Sequence, residues 1–233
     1  MNRLSSHQST RTRQAGFTII ELLIATSVFS VMLIVITAAV LQFSRQYYKG
    51  VISSSTQATT RALIDEVNRS LQFNGSSFSK FGTNDGYCIG AKRYSYKLNQ
   101  QVIDDGPNAA AHQSYHALVT DTFSGCNTGT PPLSLAAANF PGTVENPREL
   151  LGERMRLLKF DIVEVNDMYT VTVRVAYGDD DLLCSPSTTG DCTNPNSLAG
   201  VNNNMSDLTC RSTIGSQFCA VSELTTTTRK RVN

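Results

Sequence analysis

A single carboxylate inside a long apolar segment is the residue of this chain with the clearest chemical consequence. From Phe17 to Phe43 the residues are apolar or small except for Glu21 and, at the far end, Gln42. A charge at membrane depth costs several kcal/mol on most scales and usually marks function. A buried carboxylate must find a partner or take up a proton. We therefore interpret Glu21 as a functional residue.

The cysteines are the second set of residues whose chemistry can be read from type and spacing. All six follow the apolar segment, and none forms a Cys-x-x-Cys pair, which argues against a zinc or thioredoxin-type site. An even number favours disulfides in an oxidising compartment over reduced core thiols. Cys184 with Cys192 and Cys210 with Cys219 could close small loops, and a Cys184–Cys219 link is also open. The candidates are Cys88, Cys126, Cys184, Cys192, Cys210 and Cys219.

Other chemistry has weaker support in the sequence. The chain has no nucleotide-binding glycine loop and no nucleophile motif, so we predict that it is not an enzyme and needs no cofactor. Asp179, Asp180 and Asp181 follow one another at the end of a predicted strand. Calcium favours clustered carboxylates on loops. The run lacks alternating ligand spacing, so solvated charge is the preferred interpretation and calcium a weak candidate.

The charge balance is almost even. The chain of 233 residues has 20 Lys and Arg against 19 Asp and Glu. Bulk charge therefore does not indicate a nucleic-acid-binding surface. Arg229, Lys230 and Arg231 do form a short basic cluster near the end of the chain. Such a cluster could contact phosphates, although solubility explains it equally well.

The apolar segment is long enough to cross a membrane. Leu22 to Leu41 is a run of twenty residues, which as a helix spans roughly 30 Å, the thickness of a bilayer core. The first sixteen residues contain Arg3, Arg11 and Arg13 and no acid. This distribution predicts a cytoplasmic amino terminus and a head outside the membrane.

The same helix is expected to continue beyond the membrane. Ile64, Val67 and Leu71 recur at helical spacing, and no proline occurs before Pro107. An apolar stripe of this kind can cover a sheet. We predict one helix of about 55 residues, with a membrane part over 17–43 and an amphipathic part over 44–73. A separate stalk helix is the alternative.

Residues 74–233 predict a β-rich head. Tyr94, Tyr96 and Leu98 alternate with polar residues, and 115–123 is a second candidate strand. The clearest signal is a hairpin of 157–165 and 169–177 around Asn166-Asp167. We also predict a loop over 124–147, a brief helical turn over 149–154 and a last strand over 218–228. The fold class is α+β, a long helix packed on an antiparallel sheet.

The amino-terminal residues resemble the cleavage and methylation signature of type IV pilins and type II secretion pseudopilins. The matching residues are a basic leader over 1–16, then Gly16, Phe17 and, as the fifth residue counted from Phe17, Glu21. The resemblance implies cleavage after Gly16 by a prepilin peptidase and N-methylation of Phe17. An ordinary signal peptide and a plain single-pass anchor are the alternatives. The apolar run is too long for the first, and neither explains the glutamate.

The resemblance also implies a function and partners. The expected protein is a minor pilin or pseudopilin of a type IV pilus or a type II secretion-like filament. Its partners would be prepilin peptidase, other subunits, an assembly platform and the membrane. Glu21 is expected to pair with the Phe17 amine of a neighbouring subunit. The alternative is a filament-borne adhesin or DNA-uptake module that uses the loops at 124–147 and 184–217.

Overall fold

One unbroken helix forms the amino-terminal part of the molecule. The computed structural model describes residues 16–74, 78–81, 86–102, 116–123, 126, 145–186, 192–193, 207–212 and 215–231. Helix α1 is Ile19–Asn74, 56 residues long, and Gly50 does not interrupt it. The prediction of a single helix is confirmed, and the alternative of a separate stalk helix is wrong. Contacts divide the chain into two units, Met1–Ser44 and Arg45–Asn233.

The described strands of the second unit form three antiparallel sheets. The strands are β1 Phe78–Phe81, β2 Gly86–Ile89, β3 Lys92–Tyr96, β4 Leu118–Thr122, β5 Glu145–Glu149, β6 Met155–Val165, β7 Met168–Tyr177, β8 Leu183–Pro186, β9 Cys192–Thr193, β10 Thr209–Cys210 and β11 Ala220–Arg229. The first sheet has the order β1-β2-β3-β4-β5, the second β11-β7-β6, and the small third sheet β10-β8-β9. The predicted α+β class is confirmed.

The hairpin of β6 and β7 has the turn that its sequence predicts. Val165 pairs with Met168, and the turn residues Asn166 and Asp167 have positive φ angles of 51° and 61°. A two-residue turn with both central residues in this region is type I′, whose twist matches that of the strands. Farther along β6 the register shifts between Leu157 and Lys159. Leu157 belongs to the main core, whereas Leu158 belongs to the second one.

The buried stripe of α1 begins at Thr56, in the second half of the helix. Its buried residues recur at helical spacing and are Thr56, Thr60, Leu63, Ile64, Val67, Ser70 and Leu71. The hydroxyls of the two threonines donate to the carbonyls of Ile52 and Thr56, four residues earlier. This satisfies both buried polar groups within the helix.

The described residues of the head form two hydrophobic cores. The larger joins the helix stripe to both main sheets through residues such as Val67, Tyr94, Phe160 and Val173. The smaller includes Leu183 and Leu208 together with Leu158 of β6 and Ala176 of β7. The small sheet is therefore packed against the β6–β7 hairpin.

Two local predictions are wrong. The predicted loop over 124–147 overlaps β5, which begins at Glu145 and contains Pro147. Strand β5 is the edge of its sheet, where a proline costs no ladder hydrogen bond. The predicted helical turn over 149–154 is instead a strand end and a turn, with Arg154 at φ 62°. Residues 124–125 and 127–144 of the predicted loop lie outside the described residues, so the structure corrects this prediction only over 145–147.

Candidate processing and assembly site

The Gly16–Phe17 peptide bond lies outside the helix. Residues 16–18 precede α1 and are exposed, with 89% of the Phe17 surface accessible. A Cβ placed on Gly16 would meet no atom within 4 Å. Nothing described in the chain therefore covers this bond.

Glu21 and Thr18 together cap the amino-terminal end of helix α1. Its Oε2 accepts hydrogen bonds from the Thr18 amide at 2.9 Å and from the Thr18 hydroxyl at 2.8 Å. The Glu21 amide in turn donates to the Thr18 hydroxyl at 3.3 Å. Reciprocal bonds of this kind form a capping box. This role of Thr18 was not predicted from the sequence, although Thr-x-x-Glu before an apolar run is a signal for it.

The surface that surrounds Glu21 is apolar and uncovered. Large hydrophobic side chains from Phe17 to Phe43 are exposed, among them Ile20, Leu23 and Phe29. By length and composition α1 is able to cross a membrane. Among the described residues no cationic side chain forms an ion pair with Glu21. Within the described part of the chain, this carboxylate accepts the hydrogen bonds of the capping box.

The long helix, the head and the amino-terminal residues together indicate what kind of protein this is. One long apolar helix followed by a head of antiparallel sheets is the arrangement of a protein that a single helix can anchor in a membrane. Residues 11–37 match the prokaryotic N-terminal methylation motif, the signature of type IV pilins and pseudopilins. No curated protein and no solved structure matches the chain. The motif and the helix fit a membrane-anchored pilin, and the signature indicates a structural subunit rather than an enzyme.

The cysteines pair over both short and long separations. Cys88 bonds to Cys126 and joins β2 to the segment after β4, whereas Cys210 bonds to Cys219 and closes a short loop before β11. The Cys184–Cys219 link is thereby excluded. Cys184 is disulfide-bonded, and the side chain of Cys192 lies outside what the structure describes. No described cysteine is free.

The weak calcium candidates face arginines. Asp179 pairs with Arg154 and also accepts a hydrogen bond from Gln101 at 3.1 Å, and Asp180 pairs with Arg156. Burial raises the pKa of the Asp179 carboxyl, but these hydrogen bonds and nearby charges outweigh it and hold the pKa below its usual value. Asp181 is exposed. Two of the three carboxylates thus already have a cationic partner, and calcium binding remains only a sequence-based prediction.

The basic cluster near the carboxyl end is attached to the end of α1. The Arg231 amide donates to the Gln72 carbonyl at 3.3 Å, and the Arg231 guanidinium lies 5.6 Å from the centre of the Phe73 ring. Gln72 also donates to the Thr228 hydroxyl at 2.7 Å. The loops that the adhesin alternative requires lie mostly outside the described residues, so that alternative stays a prediction.

One buried ion pair could not be predicted from the sequence. Arg93 on β3 and Asp121 on β4 face each other across the pair, with 5% and 1% of their side chains accessible. Arg93 Nε donates to Asp121 Oδ1 at 2.9 Å, and its guanidinium lies 3.9 Å from the centre of the Phe123 ring. The bidentate geometry and the ring contact indicate a structural ion pair inside the head.

Proposed function

We propose that this protein is a structural subunit, a minor pilin or pseudopilin, of a type IV pilus or type II secretion-like filament. The observation that carries the proposal is the methylation motif over residues 11–37. Prepilin peptidase would cut after Gly16 and methylate the new amino terminus at Phe17. Before assembly the protein would be held in the inner or cytoplasmic membrane by α1, with the leader in the cytoplasm and the head outside.

The proposed role of Glu21 follows from charge in a nonpolar setting. Cleavage creates an α-amine, which at its ordinary pKa near 8 is mostly cationic at neutral pH. A carboxylate surrounded by apolar side chains is strongly stabilised by such a cation. In a filament, the Glu21 of one subunit would meet the Phe17 amine of the next, so that assembly fixes the axial register of the helices.

Mass spectrometry of the protein from its native membrane tests the processing. We expect a chain that begins at Phe17 and carries one added methyl group. A start near Val40 would indicate ordinary secretion, and an intact leader would indicate a simple anchor. Either result would refute the proposed function.

A glutamine substitution separates the charge of Glu21 from its capping role. Gln can replace Glu in a capping box, so Glu21→Gln keeps the helix start and removes the negative charge. We expect Glu21→Gln to be cleaved and inserted normally but to enter filaments poorly, whereas the matched control Leu22→Ala assembles. Normal incorporation of Glu21→Gln would show that the charge pair is not needed.

A further inference from the structure

A charged groove lies between α1 and the β3–β5 side of the five-stranded sheet. It has a volume of about 580 Å³ and is lined by Asp65, Glu66, Arg69, Phe73, Lys92 and Arg148, among others. A second cleft of about 230 Å³ shares three of these residues and adds Thr120, Thr122 and Asp121, which pairs with Arg93. The volume of the larger cleft is typical of sites for small ligands. We call the two together the α1–β5 groove.

The cationic side chains of this groove are only partly neutralised by carboxylates of the protein itself. Arg148 and Lys92 both pair with the one carboxylate of Glu66, and the Lys92 contact is 3.5 Å. The side chains of Arg148 and Lys92 remain 60% and 43% accessible. Within the described part of the chain, Arg69 is exposed and forms no ion pair. A guanidinium has five N–H donors, so donors remain for an oxyanion.

The rest of the lining fits a sugar. Thr122 offers an exposed hydroxyl, whereas Ser70 and Thr120 are buried and the Ser70 hydroxyl is hydrogen-bonded to that of Tyr94 at 2.9 Å. The Phe73 ring at one end is 61% accessible. The C–H face of a sugar ring packs on an aromatic ring, and its hydroxyls bond to charged and hydroxyl side chains. Arg231 lies over one face of the Phe73 ring, 5.6 Å from its centre, so a sugar ring would pack on the other face.

We propose that the α1–β5 groove binds an acidic saccharide whose oxyanion, a carboxylate or a phosphate, is held by Arg148 and Arg69. Glu66 competes with this oxyanion for Arg148 in the empty groove. Asp65 and Glu66 lie among the cations of the groove, which disfavours nucleic acid because its successive phosphates need a continuous row of cations. A single oxyanion needs only Arg148 and Arg69. Saccharide binding does not depend on the proposed filament function, and a failed binding test leaves the processing result untouched.

The test is calorimetric titration of the full chain in detergent micelles. The probes are a glucuronate-containing tetrasaccharide, its neutral glucose counterpart, glucose 6-phosphate and single-stranded DNA. We expect the charged sugars to bind at least about tenfold more tightly than the neutral one. The uronate and the sugar phosphate distinguish the two sources of the oxyanion. Equal binding of the neutral sugar, tighter binding of DNA or no binding at all would overturn the proposal.

Three substitutions and one control localise the binding. Arg148→Gln and Arg69→Gln should each weaken binding of the charged sugar about tenfold. Glu66→Gln should strengthen it several-fold, because it removes the competing carboxylate, and a merely structural role would not have this effect. Arg61→Gln is the matched control, since Arg61 is exposed on the same helix outside the groove lining. Melting curves verify folding, and unchanged affinity in a folded Arg148→Gln protein would refute the site.

Discussion

The side chains of Arg93 and Asp121 form an ion pair that is almost completely removed from water. Asp121→Asn leaves the Arg93 charge buried without its counterion, which typically costs about 3–5 kcal/mol. We expect a loss of this size in the free energy of unfolding, measured by denaturant titration. The control is Glu223→Gln, whose pair with Arg174 is partly exposed and should cost at most about 1 kcal/mol. Equal losses in the two variants would contradict the prediction.

The Asp179 carboxyl is expected to make the stability of the folded protein depend on pH. Burial acts to raise its pKa, but the hydrogen bonds from Arg154 and Gln101 dominate and lower it. A carboxyl with a lowered folded-state pKa stabilises the protein above its unfolded pKa, near 3.9. That stabilisation is lost as the pH falls through the folded value. We therefore expect Asp179→Asn to melt below the wild type at pH 7, and the difference to shrink below about pH 4. A constant difference across this range would refute the assignment.

At the scale of elements, the two described disulfides close loops of different length. Cys88 and Cys126 are 38 residues apart, and Cys210 and Cys219 are 9 apart. The loop-closure account gives stabilisations of about 4 and about 3 kcal/mol for these separations. We expect replacement of Cys88 and Cys126 by Ala to lower the melting temperature more than replacement of Cys210 and Cys219. The reverse order would show that local packing, not loop closure, sets the stability of these links.

At the scale of the whole molecule, the buried core of the head requires no described residue before Arg45. All residues of α1 that belong to the main core lie between Leu63 and Leu71, and residues 17–43 are exposed. We expect a fragment that starts at Arg45 to be soluble without detergent and to melt close to the full chain. The control fragment starts at Asp65 and lacks Leu63 and Ile64, so it should be unfolded by circular dichroism. If both fragments aggregate, the head depends on the first unit.

The elements that could be predicted are those whose residue pattern lies within one continuous segment of the chain. The apolar run predicts the first part of α1, and the 3–4 spacing of Ile64, Val67 and Leu71 predicts its buried stripe, because helical periodicity is a property of neighbouring residues. The Asn166-Asp167 pair predicts the hairpin, because a two-residue turn is also determined by neighbouring residues. The short strand β5 was missed because an edge strand is determined mainly by the strand beside it.

What the sequence by itself determined is the amino-terminal signature, the long helix and the main hairpin. The methylation motif, Glu21 included, is a contiguous pattern and needs no fold to be read. Only the tertiary structure decided which cysteines pair, that Arg93 meets Asp121, and that two of the three aspartates after β7 face arginines. These contacts join residues as far as 38 positions apart. Chain topology brings such residues together, and residue type alone does not specify the partner.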